Sequence, residues 1–125
     1  MTLVDTNVLL DVLSDNPNWR AWSVNRLEQR SGDGALLINE VIYAELSSRF
    51  ATVDLLDLKV SELNVTLQRM PKQALFLAGH AYERSGGTRS GVLPDFFIGA
   101  HAQVAQWPLL TREVRRYRTY FPMWN

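Results

Sequence analysis

"LVDTNVLLDVL", residues 3–13, sets Leu3 and Val4 directly against Asp5, Thr6 and Asn7, then turns apolar again through Val8, Leu9, Leu10, Val12 and Leu13. Two segments that favour burial are joined by three hydrogen-bonding side chains. A short buried strand running into a helix accounts for the pattern, with Asp5-Thr6-Asn7 in the turn between them. That turn admits two readings. Asp, Thr and Asn all cap helices well, so the motif suits an ordinary N-cap. In a parallel sheet, however, ligands bind at the carboxyl ends of the strands, which is where these three residues fall.

The rest of the chain repeats the alternation. "ALLI" (35–38), "NVTL" (64–67) and "LL" (109–110) read as further buried strands. Between them, Asn16 reads as the cap and Pro17 as the first residue of a helix carrying Trp19, Trp22 and Leu27, stopped by "SGDG" (31–34). Asn39 reads as the cap of a helix through "EVIYAELSSRF", and "DLLDLK" as a short helix. Pro71 and Pro94 open two more, "PKQALFLAGHAYERS" and "PDFFIGAHAQVAQ", separated by a flexible loop at "GGTRSG" (86–91). Strands alternating with helices predict a three-layer α/β/α sandwich with a short parallel sheet. With no repeat, linker or low-complexity segment, residues 1–125 read as a single domain.

Composition narrows the chemistry. With 13 basic and 13 acidic residues the net charge is zero, so global charge does not announce a nucleic-acid partner. All the basic residues except Lys59 and Lys72 are arginine, whose planar fork suits phosphate, and Arg112, Arg115, Arg116 and Arg118 cluster near the C-terminus. There is no cysteine, which excludes a disulfide framework and thiolate metal sites and fits a reducing cytoplasm. No apolar run approaches the roughly 20 residues of a membrane span. "MTLVDTN" lacks the basic flank and apolar core of a signal peptide.

Four carboxylates fall where the predicted sheet would gather them. Asp5 follows the first strand and Glu113, in Thr111-Arg112-Glu113, follows the last; Glu45 lies in the helix after the second strand, and Asp95 opens the helix after Pro94. Clustered carboxylates repel, and a cation relieves that repulsion. Ligands that are all oxygen select hard ions, Mg²⁺ or Mn²⁺, and such a site suits phosphodiester hydrolysis. On this reading Asp5, Glu45, Asp95 and Glu113 are metal ligands and catalytic acids, while Thr6, Asn7 and Thr111 orient them. Each has a plainer alternative: Glu45 as a solvated helix residue, Asp95 as a first-turn acid favoured by the helix dipole. Glu40 lies about 140° around its helix from Glu45 and reads as surface. Asp11 and Asp15 read as surface and cap, His101 as packing or surface, and Tyr117 and Phe121 as packing beneath the arginines.

Together these segments resemble the PIN-domain ribonucleases, and within them the VapC-type toxins of bacterial toxin–antitoxin pairs. The resemblance rests on "LVDTNVLLDVL", "LLINEVIYAELS", "LPDFFIGAHA" and "PLLTREVRRYRTYFP", in family order across nearly the whole chain. It implies that Asp5, Glu45 and Asp95 are the core acids, and that Glu113 stands where the family commonly has aspartate, one methylene shorter. Relatives often continue beyond "TYFP" into another short strand. The resemblance further implies a Mg²⁺- or Mn²⁺-dependent endoribonuclease cutting tRNA, rRNA or mRNA; the clustered Arg112, Arg115, Arg116 and Arg118 are the candidate contacts to RNA phosphates. It also implies a homodimer neutralised by a cognate antitoxin, while the cytoplasmic setting and the lack of a membrane span are expectations of the composition.

Two other classes compete. A phosphoaspartyl enzyme also carries Asp after its first strand, but the second Asp of phosphatases of that type is replaced by Asn7, and Lys59 and Lys72 lie far from the last strand. The stronger rival is a catalytically silent PIN-like module that binds RNA or a partner through its arginines.

Overall fold

The computed structural model describes residues 1–87 and 93–122. Most of the loop read at 86–91, including Arg89, lies outside the described residues, as do residues 123–125. The chain runs β1 (Thr2–Val4), α1 (Thr6–Leu13), α2 (Arg20–Asp33), β2 (Leu36–Ile38), α3 (Glu40–Ser47), α4 (Val53–Glu62), β3 (Val65–Leu67), α5 (Lys72–Arg84), α6 (Pro94–Ala105), β4 (Leu109–Leu110) and α7 (Val114–Tyr120). The four strands form one sheet in the order β3-β2-β1-β4, and every pairing is parallel.

Successive strand residues point to opposite faces, so a strand buried at every position must be covered on both sides. β1 and β2 are buried at every residue. Helices therefore sandwich the sheet, as the alternation of strand and helix predicts, and the core gathers Leu3, Val4, Leu37, Ile38, Ile42, Leu46 and Ile98. β3 buries only Val65 and forms one edge.

Two local readings differ from the sequence expectation, and one element went unread. Asn16 does cap, accepting from the amides of Asn18 (2.8 Å) and Trp19 (3.1 Å), but it closes a turn and the helix begins only at Arg20. Asp15 is no cap: it sits at φ 54 and pairs with Arg20 on the surface. The arginine-rich segment after β4 is a helix, α7, which its charge run concealed.

α7 matters because it carries side chains into the site, and a glycine lets it approach. A Cβ at Gly99 of α6 would collide with the ring of Phe121 and press on Tyr117. Phe96 completes the contact, stacking on Tyr120 at 4.3 Å between ring centres and meeting Tyr82 edge-on at 5.6 Å. His101, on the same helix, is buried and belongs to the core. Its Nδ1 lies 3.1 Å from the amide of Asn39, whose side-chain oxygen caps α3 through the Ile42 N–H at 3.0 Å. Burial pushes the His101 pKa down.

Candidate active site

β1 and β4 are neighbours in the sheet, so their carboxyl ends deliver Asp5 and Thr111 side by side. Asp5 closes β1 in extended conformation and caps α1: its Oδ1 accepts from the Thr6 N–H at 2.8 Å. The plainer reading of the opening motif is therefore also true, yet it uses one oxygen only. Oδ2 accepts from the Thr111 hydroxyl at 2.7 Å, the Tyr117 hydroxyl at 3.1 Å and the Asn7 amide at 3.3 Å.

The other acids join through intermediaries. Tyr117 Oη stands 3.4 Å from Asp95 Oδ1, so one hydroxyl bridges Asp5 and Asp95. Thr6 donates its hydroxyl to Glu45 Oε1 at 2.5 Å. Arg116 spans Asp95 and Glu113, at 2.5 Å and 3.3 Å. The Glu113 N–H donates to Thr111 Oγ1 at 2.9 Å. All four expected acids thus belong to one connected network. Among the described residues, however, no three acidic or imidazole side chains stand close enough to grip one ion, because Tyr117, Thr6 and Arg116 are interposed.

Electrostatics marks Asp5 apart. Burial raises its pKa from 3.8 to about 6, and the negative charge of Asp95 adds to the rise against the lowering effect of its hydrogen bonds. Burial also pushes the Tyr117 phenol far up, with Asp5 and Asp95 acting in the same direction, so it stays a neutral donor. The hydrogen bond to Asp95 raises the Arg116 pKa and keeps the guanidinium charged. The donor set fits a hard divalent ion. It is all oxygen, and among the described residues its central carboxylate has no direct cationic partner, while the negative charge of Asp95 stands nearby.

Two expectations are corrected. Asp11 is buried, not on the surface. The guanidinium of Arg112, expected on RNA, forks onto it, with Nε 2.8 Å from Oδ2 and Nη2 3.0 Å from Oδ1. Tyr117 was legible only as packing. Its chemistry follows from α7, which places Arg116 and Tyr117 three and four residues after Glu113 and so on one side of the helix. Arg115 and Arg118 are exposed on α7.

Fold and site together define an open parallel α/β fold with a hydrogen-bonded network of carboxylates at the carboxyl ends of its central strands. Residues 2–122 match the PIN domain family, and the chain belongs to it. No curated protein matches the sequence. Among solved structures, it is similar to a chain of VapBC2 from Rickettsia felis bound to a DNA fragment from its promoter, at 17% identity and TM-score 0.69 over 94% of this chain and 91% of that one. VapBC-1 from nontypeable Haemophilus influenzae gives 17% identity and TM-score 0.70 over 98% and 94%. A toxin–antitoxin complex from Klebsiella pneumoniae gives 18% and 0.64 over 92% and 88%. At these identities the likeness is one of fold.

Proposed function

We propose that this chain is a VapC-type toxin: a single-domain endoribonuclease that uses Mg²⁺ or Mn²⁺ and is held inactive by a cognate antitoxin. The observation that carries the reading is the convergence of Asp5, Asp95, Glu45 and Glu113 in one hydrogen-bonded network at the ends of β1 and β4. Membership of a nuclease family supports it.

Asp5 and Asp95 would hold the ion, with Glu45 and Glu113 completing its surroundings. When bound, such an ion polarises the phosphate and lowers the pKa of water. Thr111 and Asn7 keep Asp5 oriented, and Tyr117 separates the two aspartates with a donor that does not ionise at neutral pH. Arg115 and Arg118 face solvent and would take the RNA phosphates; Arg116, on Asp95 and Glu113, screens the acids when no metal is present. The homodimer rests on the family resemblance and the cytoplasmic setting on the cysteine-free composition. No described helix is long and apolar enough to cross a membrane.

Cleavage of single-stranded and looped RNA with and without Mg²⁺ or Mn²⁺ is the test. Metal-dependent cutting by the wild type that vanishes in Asp5→Asn and Asp95→Asn supports the proposal. The rival, a silent binding module, is favoured by Arg116 already lying on two of the acids. RNA binding without cleavage under either ion would establish that rival.

A further inference from the structure

We infer that Asp11 and Arg112 form a positioning pair that sets the turn Thr111–Glu113 onto Asp5; its role in catalysis rests on the nuclease reading above. The sheet does little to place that turn. β4 is two residues long, and the last backbone bond tying it to the end of β1 is Asp5 N–H to Leu110 O at 2.9 Å. Thr111 follows immediately, and its hydroxyl must reach Asp5 Oδ2.

α1 supplies the missing constraint from one face. Asn7 and Asp11 are one helical turn apart, so both side chains can address the same loop. Asn7 Oδ1 accepts the Arg112 backbone N–H at 3.3 Å, while Asp11 takes the Arg112 side chain. Residue 112 is gripped by main chain and side chain at once, directly beside the threonine that contacts Asp5. The grip is anchored in turn from α2: Ser23 donates to Asp11 Oδ2 at 2.6 Å. Just ahead of α2, the Trp19 ring lies under the guanidinium at 4.8 Å. Asp11 is 2% exposed and the Arg112 side chain 21%. A two-point fork in so dry a place fixes direction as well as distance, which an ammonium group cannot do.

Geometry and mere stability separate experimentally. Arg112→Lys keeps the charge and loses the fork. The double replacement Asp11→Leu with Arg112→Met removes both charges and leaves apolar volume, so the fold survives without an unpaired ion. In metal-free protein, the amide signals of the Asn7 side chain and the Glu113 backbone, both next to Thr111 Oγ1, should shift in both variants. Those of β2 should stay in place. Mn²⁺ binding should weaken about tenfold, the scale of losing a group that orients a metal ligand. Adding Thr111→Val to Arg112→Lys should then cost little more, since both act through the same contact. Unmoved Asn7 and Glu113 signals in the folded double variant, or losses that multiply, overturn the inference. A wild type that neither binds Mn²⁺ nor cuts RNA defeats the nuclease reading instead, and the metal-free signals still decide the positioning role.

Discussion

Asp5 and Asp11 are carboxylates on the same short stretch of chain, 5% and 2% exposed, and they are treated in opposite ways. Asp11 receives a full guanidinium fork from Arg112 and a hydroxyl from Ser23. Among the described residues Asp5 receives only neutral donors (the hydroxyls of Thr111 and Tyr117 and the amides of Thr6 and Asn7), and it faces the negative charge of Asp95. Equal burial therefore has unequal consequences. A paired buried acid holds structure in place. A hydrogen-bonded acid without its own cation favours the arrival of one, which is how a site for a divalent ion differs from a structural salt bridge.

The largest expected effect lies on the Asp11 side. Asp11→Asn leaves the Arg112 guanidinium half-buried without its partner, and breaking such pairs costs about 3–5 kcal/mol. With Arg112 21% exposed the lower end applies, so urea unfolding should show a loss of about 3 kcal/mol. A loss below about 1 kcal/mol, the level of an exposed ion pair, would erase the contrast between the two acids.

Asp5 should show the reverse behaviour in its pH dependence. Its pKa is about 6 when folded against 3.8 ordinarily, so between these values the folded state binds more protons than the unfolded. The metal-free protein therefore gains from this group at low pH and loses about 3 kcal/mol as pH rises from about 4 to about 6, with no further change above. Asp5→Asn should flatten that part of the profile, followed by denaturation at each pH. A slope identical to wild type would assign it to other groups.

Gly99→Ala tests how tightly α7 must pack to bring Tyr117 to Asp5. The added methyl meets Phe121 and Tyr117, and overpacking of this kind costs about 1–3 kcal/mol. Thermal unfolding should register that loss, and an unchanged melting point would show that α7 has room to shift. The smallest effect belongs to Arg116→Gln. Removing the cation from Asp95 and Glu113 should raise Mn²⁺ affinity severalfold, about 1 kcal/mol by titration calorimetry, as suits a partner 44% exposed. Weakened binding would instead mean that Arg116 holds Asp95 ready for the ion.

Periodicity alone determined much of this molecule. The apolar runs at 2–4, 35–38, 64–67 and 109–110 and the helices between them require parallel crossovers, and that arrangement gathers strand ends on one edge. The acids at 5, 95 and 113 were legible because strand-end and helix-start positions follow from local signals; Glu45 was legible from the helix it lies in, whose cap Asn39 was read correctly. Asp11 was not legible: in "VLLDVL" a surface acid and a buried one look alike until the partner across the fold is known. Arg112 was read as a phosphate ligand for the same reason, since the Asp11 it forks onto is distant in sequence. Tyr117 needed two further facts, that the arginine run coils into α7 and that Gly99 lets it dock. Local sequence specifies which elements form, because backbone geometry and burial act over a few residues. Which charges meet is decided by long-range packing, and only tertiary structure shows that Asp11 pairs with a cation while Asp5, among the described residues, meets neutral donors.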